Sequence, residues 1–408
     1  NGVTNIGAYA FCDCSSLKRV VIPDSVTSIE EYAFWDCDSL SVVTIGNGVT
    51  NIGAYAFYDC DSLSSVIIPD GVTNIKKGAF SGCSSLKRVV IPNSITSIEE
   101  DTFSRCSSLK RVVIPDSVTN IEEYAFWACD SLSSVIIPDS VTSIKKGAFS
   151  GCSSLKRVVI PNSVTSIEEY TFSRCSSLLS VIIPDSVTSI KKGAFSRCSS
   201  LLNVKIPDSV TSIEEYAFSG CSSLLNVIIP DGITIINKGV FSGCISLLSV
   251  KIPDSVTRIE EESFKNCFLL LSITIPDSVF VIGDYVFTNC KSLKTVNIGK
   301  MVYEIGESAF ENCVSLEKVN IGKDVIYIWD YAFRGCSSLK SITISNRYVY
   351  IGFMAFEKCN LLTTIYYEDV KESFYNILEK NNIFDNCATT DRIIYCKDGE
   401  IVLRKTVA

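Results

Sequence analysis

The chain contains no histidine, which removes the commonest general base near neutral pH and the commonest metal ligand together. Nucleophile–histidine pairs and histidine-containing zinc sites are excluded outright. No run approaches the ~18–20 consecutive apolar residues of a membrane-spanning helix, although 47% of the residues are hydrophobic. Positive charge is also scarce: 37 Lys and Arg against 45 Asp and Glu leave a formal charge of −8, which argues against nucleic acid as the main partner. The opening residues, Asn1-Gly2-Val3, hold no initiating Met and no secretory leader, and residues 1–11 repeat residues 47–57 letter for letter. The expected reading is a trimmed piece of a longer chain, and the missing leader is silent about compartment.

What the sequence does have is a period. A phenylalanine recurs every 23 residues, from Phe11 through Phe34, Phe57 and Phe80 to Phe356, sixteen times without a slip, and a cysteine stands three residues behind each, from Cys14 to Cys359. Such self-similarity is the signature of a solenoid whose units bury their apolar faces only against their neighbours. A stacked array also explains how 408 residues, more than one compact core usually serves, can share a continuous interior.

One repeat, Leu17 to Cys37, reads LKRVVIPDSVTSIEEYAFWDC. Leu17, Val20 and Ile22 carry an L-x-x-L-x-L pattern that predicts a short strand with the last two apolar residues pointing inward, Arg19 and Val21 facing out. Pro23 has no N–H to donate and ends the pairing; all eleven prolines occupy this position. Asp24-Ser25 supply turn chemistry, and Val26 and Ile29 return to the interior on a second extended segment. Ile29, Ala33, Phe34 and Cys37 then share one helical face, so one or two helical turns are expected over 30–37. Parallel pairing of successive coils at ~4.8 Å would give a rod or arc on the order of 75 Å long.

The string I-P-x-S-V-T-x-I-x-x-x-A-F-x-x-C-x-S-L resembles the BspA-type leucine-rich repeat, and the resemblance covers residues 1 to about 365. It implies an α/β-type solenoid of sixteen coils, with a parallel sheet on the concave face and short helical turns opposite. It also implies a secreted or cell-surface location, non-catalytic adhesion or protein binding, and no cofactor. Matrix glycoproteins such as fibronectin or fibrinogen are partners of the kind implied. Carboxylate pairs can serve a glycosidase, but here they repeat with the coils and no non-repeating acid accompanies them.

Residues 366–408 depart from the period and read as a C-terminal cap after a solenoid domain of residues 1–365. Tyr367 replaces an inward Ile; Val370, Phe374, Ile377 and Leu378 mark an amphipathic helix. Ile393–Cys396 and Ile401–Leu403 flank a hairpin turn at Lys397-Asp398-Gly399-Glu400. No equivalent cap precedes Asn1, so either the native chain continues upstream or a partner covers that end.

Nineteen cysteines suggest a disulfide framework until their spacing is considered. Sixteen share one register, and parallel Cα–Cβ bonds stacked at ~4.8 Å neither converge nor reach the Cβ separation a disulfide wants. They are expected to be small buried residues whose thiols reach backbone carbonyls. A metal site would need several thiolates converging on one point. Cys12, Cys387 and Cys396 fall outside the register; Cys387 and Cys396 either close a loop in the cap or remain two buried thiols.

Function is sought where the repeats differ. Glu-Glu pairs at 30–31, 99–100, 122–123, 168–169, 214–215 and 260–261, with Lys-Lys at 76–77, 145–146 and 191–192, predict an ion-pair ladder between coils. Residues 70–108 and 139–177 are nearly identical, which points to expansion by three-repeat blocks. Trp35, Tyr58 and Trp127, beside the phenylalanines, are expected to be half-buried. At the outward strand position, Ile67, Val90, Val113, Ile136, Val159 and Ile182 predict an exposed aliphatic stripe roughly 25 Å long. Arg88, Arg111 and Arg157 stand beside it, with Lys87, Lys110 and Lys156 at the margin. This strip is the candidate partner-binding surface; without aromatic residues it suits a protein better than a sugar or a single-stranded nucleic acid. The alternative is repeat copying of good strand formers. A second stripe, Leu179, Leu202, Leu225, Leu248 and Leu271, is the candidate self-association surface of a spacer or self-assembling rod.

Overall fold

A computed structural model of the chain describes residues 2–378, 383–384 and 391–404. The chain divides into two compact units, residues 1–209 and 210–408. In the first unit, strands Arg19–Val21, Val42–Thr44, Ser65–Ile67, Arg88–Val90, Arg111–Val113 and Ser134–Ile136 form a six-stranded parallel sheet, and Arg157–Val159 with Ser180–Ile182 form a second, two-stranded one. Register advances by one repeat per strand, as in Val43↔Val66 and Val66↔Val89. Two-residue strands such as Ser28–Ile29, Asn51–Ile52 and Asn74–Ile75 build the second ladder. In each strand the central residue points inward and its neighbours outward, because successive side chains alternate between faces: Val66 and Val89 are buried, Ile67 and Val90 exposed.

The second unit repeats this arrangement. Its main sheet has seven strands, from Ser272–Thr274 through Thr364–Tyr367 to Arg392–Cys396 and Gly399–Leu403. Arg392–Cys396 continues the parallel ladder beside Thr364–Tyr367, and Gly399–Leu403 folds back antiparallel on it. Helix α1, Lys371–Leu378, buries Phe374 against Tyr367, with ring centroids 5.0 Å apart.

The segment opposite the main strands differs from expectation. Residues 30–37 form no helical turn; α1 is the only helix among the described residues. Tyr32 and Asp36 have φ of 54° and 59°, and every coil places residues at these two registers in the left-handed region, which interrupts a right-handed helix after one turn. The hydrogen bonds alternate accordingly. Ala33 and Trp35 N–H groups donate back to the Glu30 and Tyr32 carbonyls at 3.3 and 3.2 Å. Tyr32, Phe34 and Asp36 N–H groups donate instead to Ala54, Ala56 and Tyr58 of the next coil at 3.0, 2.8 and 2.9 Å. This third segment is therefore stitched to its neighbour, and the apolar spacing that mimics a helix arises from two successive reverse turns. Where the first register is glycine, the preceding tyrosine closes over it: a Cβ on Gly147 would lie 2.4 Å from the Tyr124 ring.

The phenylalanines stack down the interior of each unit. In the first, Phe126–Phe149 and Phe149–Phe172 centroids are 5.3 and 5.7 Å apart with ring planes within 5°. Phe11, in the first coil, is 40% exposed whereas Phe34 onward are sealed. All sixteen ladder cysteines are free thiols, as are Cys12 and Cys396; Cys387 lies outside the described residues. Cys60, Cys83 and Cys106 thiols donate to the Phe34, Phe57 and Phe80 carbonyls of the preceding coil, each at 3.2 Å. The same carbonyls serve the coil's own turn, as when Cys83 N–H bonds Phe80 O at 3.3 Å.

Candidate functional site

The strand face of the first unit holds the candidate strip. Ile67, Val90, Val113, Ile136, Val159 and Ile182 are all exposed, Ile67 most at 77%. They are held out by the pleat that buries Val66, Val89, Val112 and Val158 beneath them. Arg88 and Arg111 are direct partners across adjacent strands, both exposed. Arg157 is not beside them, because the intervening coil presents Ser134 at that register. An open groove of about 660 Å³ lies over the pair, lined by Lys87, Arg88, Val90, Lys110, Arg111 and Val113.

Among the described residues, none of these four cations enters an ion pair. Like charges stacked on neighbouring strands are unfavourable, and a bound carboxylate placed between them would relieve the repulsion through charge-assisted, bidentate hydrogen bonds. The turn side behaves oppositely. Lys77 pairs with Glu100 at 2.7 Å and Lys146 with Glu169 at 2.9 Å, each one coil apart, as the alternating charges predict. Such half-exposed pairs contribute little stability, about 0–1 kcal/mol each, and serve register better.

The leucine stripe is less uniform than its sequence. Leu179, Leu202, Leu248 and Leu271 are 40–49% exposed, whereas Leu225 is half-buried. Trp35 and Tyr58 are half-buried, but Trp127 is exposed. Trp127 rims a shallow acidic cleft of about 430 Å³ that also contains Asp36, Asp59 and Asp61. Burial pushes the Asp36 carboxyl up, with Asp38 and Asp13 adding to it; burial also raises Asp59, opposed by Arg105 and reinforced by Asp61. A carboxyl raised in the folded state binds its proton more tightly there, so stability grows as pH falls through the raised value. The melting temperature is therefore expected to hold or rise slightly as pH falls from neutrality toward the ordinary carboxylate range, and an Asp36→Asn/Asp59→Asn variant should flatten that rise. Asp277, lowered by its bond to Lys300, loses its contribution only below the ordinary carboxylate range. A parent melting temperature that falls steadily over this window would contradict the assignment.

One set of exposed residues escapes a search for repeated features. Tyr327, Trp329, Tyr348 and Tyr350 lie on the last coils of the second unit, all more than a third exposed. Their signal is departure from the repeat: Tyr327 and Tyr350 stand at the register of Ser28 and Asn51.

The BspA type leucine-rich repeat region, a family model of six copies, matches residues 4–133, 73–202, 142–271 and 258–391. The chain belongs to this family. Three solved bacterial proteins resemble this BspA-type chain. A leucine-rich repeat protein from Bacteroides ovatus ATCC 8483 is 28% identical, with 97% of this chain and 87% of that one covered and a TM-score of 0.68. A leucine-rich cell surface protein from Faecalibacterium prausnitzii A2-165 is 32% identical over 77% of this chain and 90% of its own, TM-score 0.53. A leucine-rich repeat protein from Eubacterium ventriosum ATCC 27560 is 25% identical over 76% and 89%, TM-score 0.53. No curated protein matches the chain significantly. BspA-type repeats are binding scaffolds, so the strand face, where the coil presents side chains that its own packing does not use, is the surface to interrogate.

Proposed function

We propose that the protein is a non-catalytic scaffold, at the cell surface or outside the cell, that binds another protein through the strand face of its first unit. The observation that carries this is the Arg88–Arg111 stack, which enters no ion pair among the described residues and is flanked by exposed Val90 and Val113. Its complement is a protein surface with carboxylates beside an aliphatic patch. The described cell-surface character of the Faecalibacterium relative supports the location. No helix among the described residues is long and apolar enough to cross a membrane. Matrix glycoproteins such as fibronectin and fibrinogen are the partners the family resemblance puts first.

The test is a charge-reversed variant, Arg88→Glu/Arg111→Glu/Arg157→Glu, compared with the parent on immobilised fibronectin and fibrinogen. All three side chains are exposed, so circular dichroism should be unchanged. Binding should weaken at least tenfold, and the parent's affinity should fall as salt rises. Equal binding by variant and parent would defeat the strip. A second reading, a spacer that self-associates, is favoured by exposed Leu179 and Leu202, successive on one flank. It requires sedimentation that depends on concentration and loses that dependence in Leu179→Ser/Leu202→Ser.

A further inference from the structure

In the second unit, from Val256 to Val325, the residue at the Val26 register is buried in every coil. The last coil breaks this rule. Tyr348 occupies the register, is too large for the slot, and stands 71% exposed, while Val349 is buried in its place. The turn shifts one residue later, with Tyr348 N–H bonded to the Asn346 side-chain oxygen at 2.9 Å where earlier coils bond the proline-register carbonyl, as in Val26 N–H to Pro23 O. The shifted turn stops short of helix α1 and leaves a cleft of about 710 Å³ between them.

Arg347, Tyr348, Tyr350, Asp369, Ser373 and Asn376 line this cleft. The Arg347 guanidinium lies over the Tyr348 ring, 4.4 Å from its centroid, and donates to the Tyr348 hydroxyl. Tyr350 forms the other wall, braced by Trp329 at 5.8 Å and Tyr327 at 6.5 Å. Asp369 accepts the Ser373 hydroxyl at 2.9 Å, a bond that holds its carboxyl below the usual range and keeps it ionised. The Asn376 amide has no side-chain hydrogen-bond partner among the described residues.

We propose that this cleft is a carbohydrate site that takes a neutral pyranose ring. The argument is one of matched chemistry. A pyranose has an apolar C–H face, suited to an exposed aromatic ring, and a rim of vicinal hydroxyls that both donate and accept. Tyr348 and Tyr350 offer the rings; Asp369 accepts, Arg347 donates, and Asn376 does both. An aliphatic peptide side chain would desolvate Asp369 and Arg347 without replacing their hydrogen bonds with water. A phosphate would meet the Asp369 carboxylate. Beyond Tyr350, the Tyr327 and Trp329 rings stack at 5.6 Å with planes 10° apart, and the Trp329 indole is anchored by Nε1–H donation to Glu304 at 2.8 Å. A second sugar residue leaving the cleft past Tyr350 would stack there.

Saturation-transfer NMR on the full chain tests this with the methyl glycosides of glucose, galactose, mannose and N-acetylglucosamine, and the tripeptide Gly-Leu-Gly as the peptide probe. Transfer is expected to at least one glycoside, strongest at ring C–H protons. Tyr348→Ala, which removes an exposed ring and leaves Val349 in the core, should weaken binding at least tenfold; Tyr350→Phe, which keeps the ring, should retain it. Transfer to no glycoside at millimolar concentration, undiminished binding in Tyr348→Ala, or transfer to the peptide alone would each overturn the assignment.

Discussion

Phe149→Ala is expected to destabilise the first unit by about 3–5 kcal/mol, against less than about 2 kcal/mol for Phe11→Ala. Both remove the same atoms. Phe149 is completely buried, sandwiched between the Phe126 and Phe172 rings, and neither neighbour can tilt into the void without leaving its own partner. Among the described residues Phe11 stacks on Phe34 alone, at 5.1 Å, and is already 40% exposed. Interior truncation therefore forfeits two ring contacts, worth about 0.5–1.5 kcal/mol each beyond burial, and leaves a cavity that the terminal truncation does not. The loss should also be local. In a linear array stability resides in units and their interfaces, so amide exchange should accelerate most in the coils flanking residue 149. Equal costs at the two positions would mean that the aromatic stack is not what ties neighbouring coils together.

Alkylation of the native protein should divide the cysteines sharply. Cys12, Cys14 and Cys396 are half-buried and should react readily, whereas the ladder from Cys37 to Cys359 is sealed. Burial also pushes the thiols of Cys83, Cys129 and Cys152 well above their ordinary value, and Cys175 to about 12, so the reactive thiolate is scarce even when reagent arrives. The sealed ladder thiols should be modified about a thousandfold more slowly than Cys12, at the rate of local opening. Peptide mapping after timed labelling reads each site separately, Cys387 included. Uniform labelling, or ladder thiols that fail to react after denaturation without reductant, would contradict the free-thiol ladder.

The coil was legible because its constraints repeat. Alternation at Val20 and Ile22, the stop at Pro23 and the common register of Phe34 and Cys37 all report packing, and the thiol-to-carbonyl contact follows from a small buried residue beside a turn. The helical reading failed for an equally physical reason. Spacing at i, i+4, i+5 and i+8 records which side chains face inward, and two tight turns satisfy it as well as one helix does. Gly78 and Gly82, four residues apart in one coil, carried the hint of paired left-handed residues, but Tyr32 and Asp36 in the same registers concealed it. The exposure of Ile67 through Ile182 followed from strand alternation. The cleft beside Tyr348 did not, because it depends on a single oversized side chain displacing its own turn.

Those paired left-handed residues also act as a filter on mutation. The two registers accept tyrosine, glycine, aspartate, arginine, asparagine and even methionine, yet none of them holds a valine, isoleucine, threonine or proline. What is screened there is handedness, with side-chain chemistry left free. Surface identity can therefore drift at these sites while the chain path stays put, and a block of coils such as 70–108 can be copied elsewhere without refitting its joints. Among newly arising substitutions, the damaging ones at these registers should be the branched and cyclic residues, however conservative they look in polarity or size.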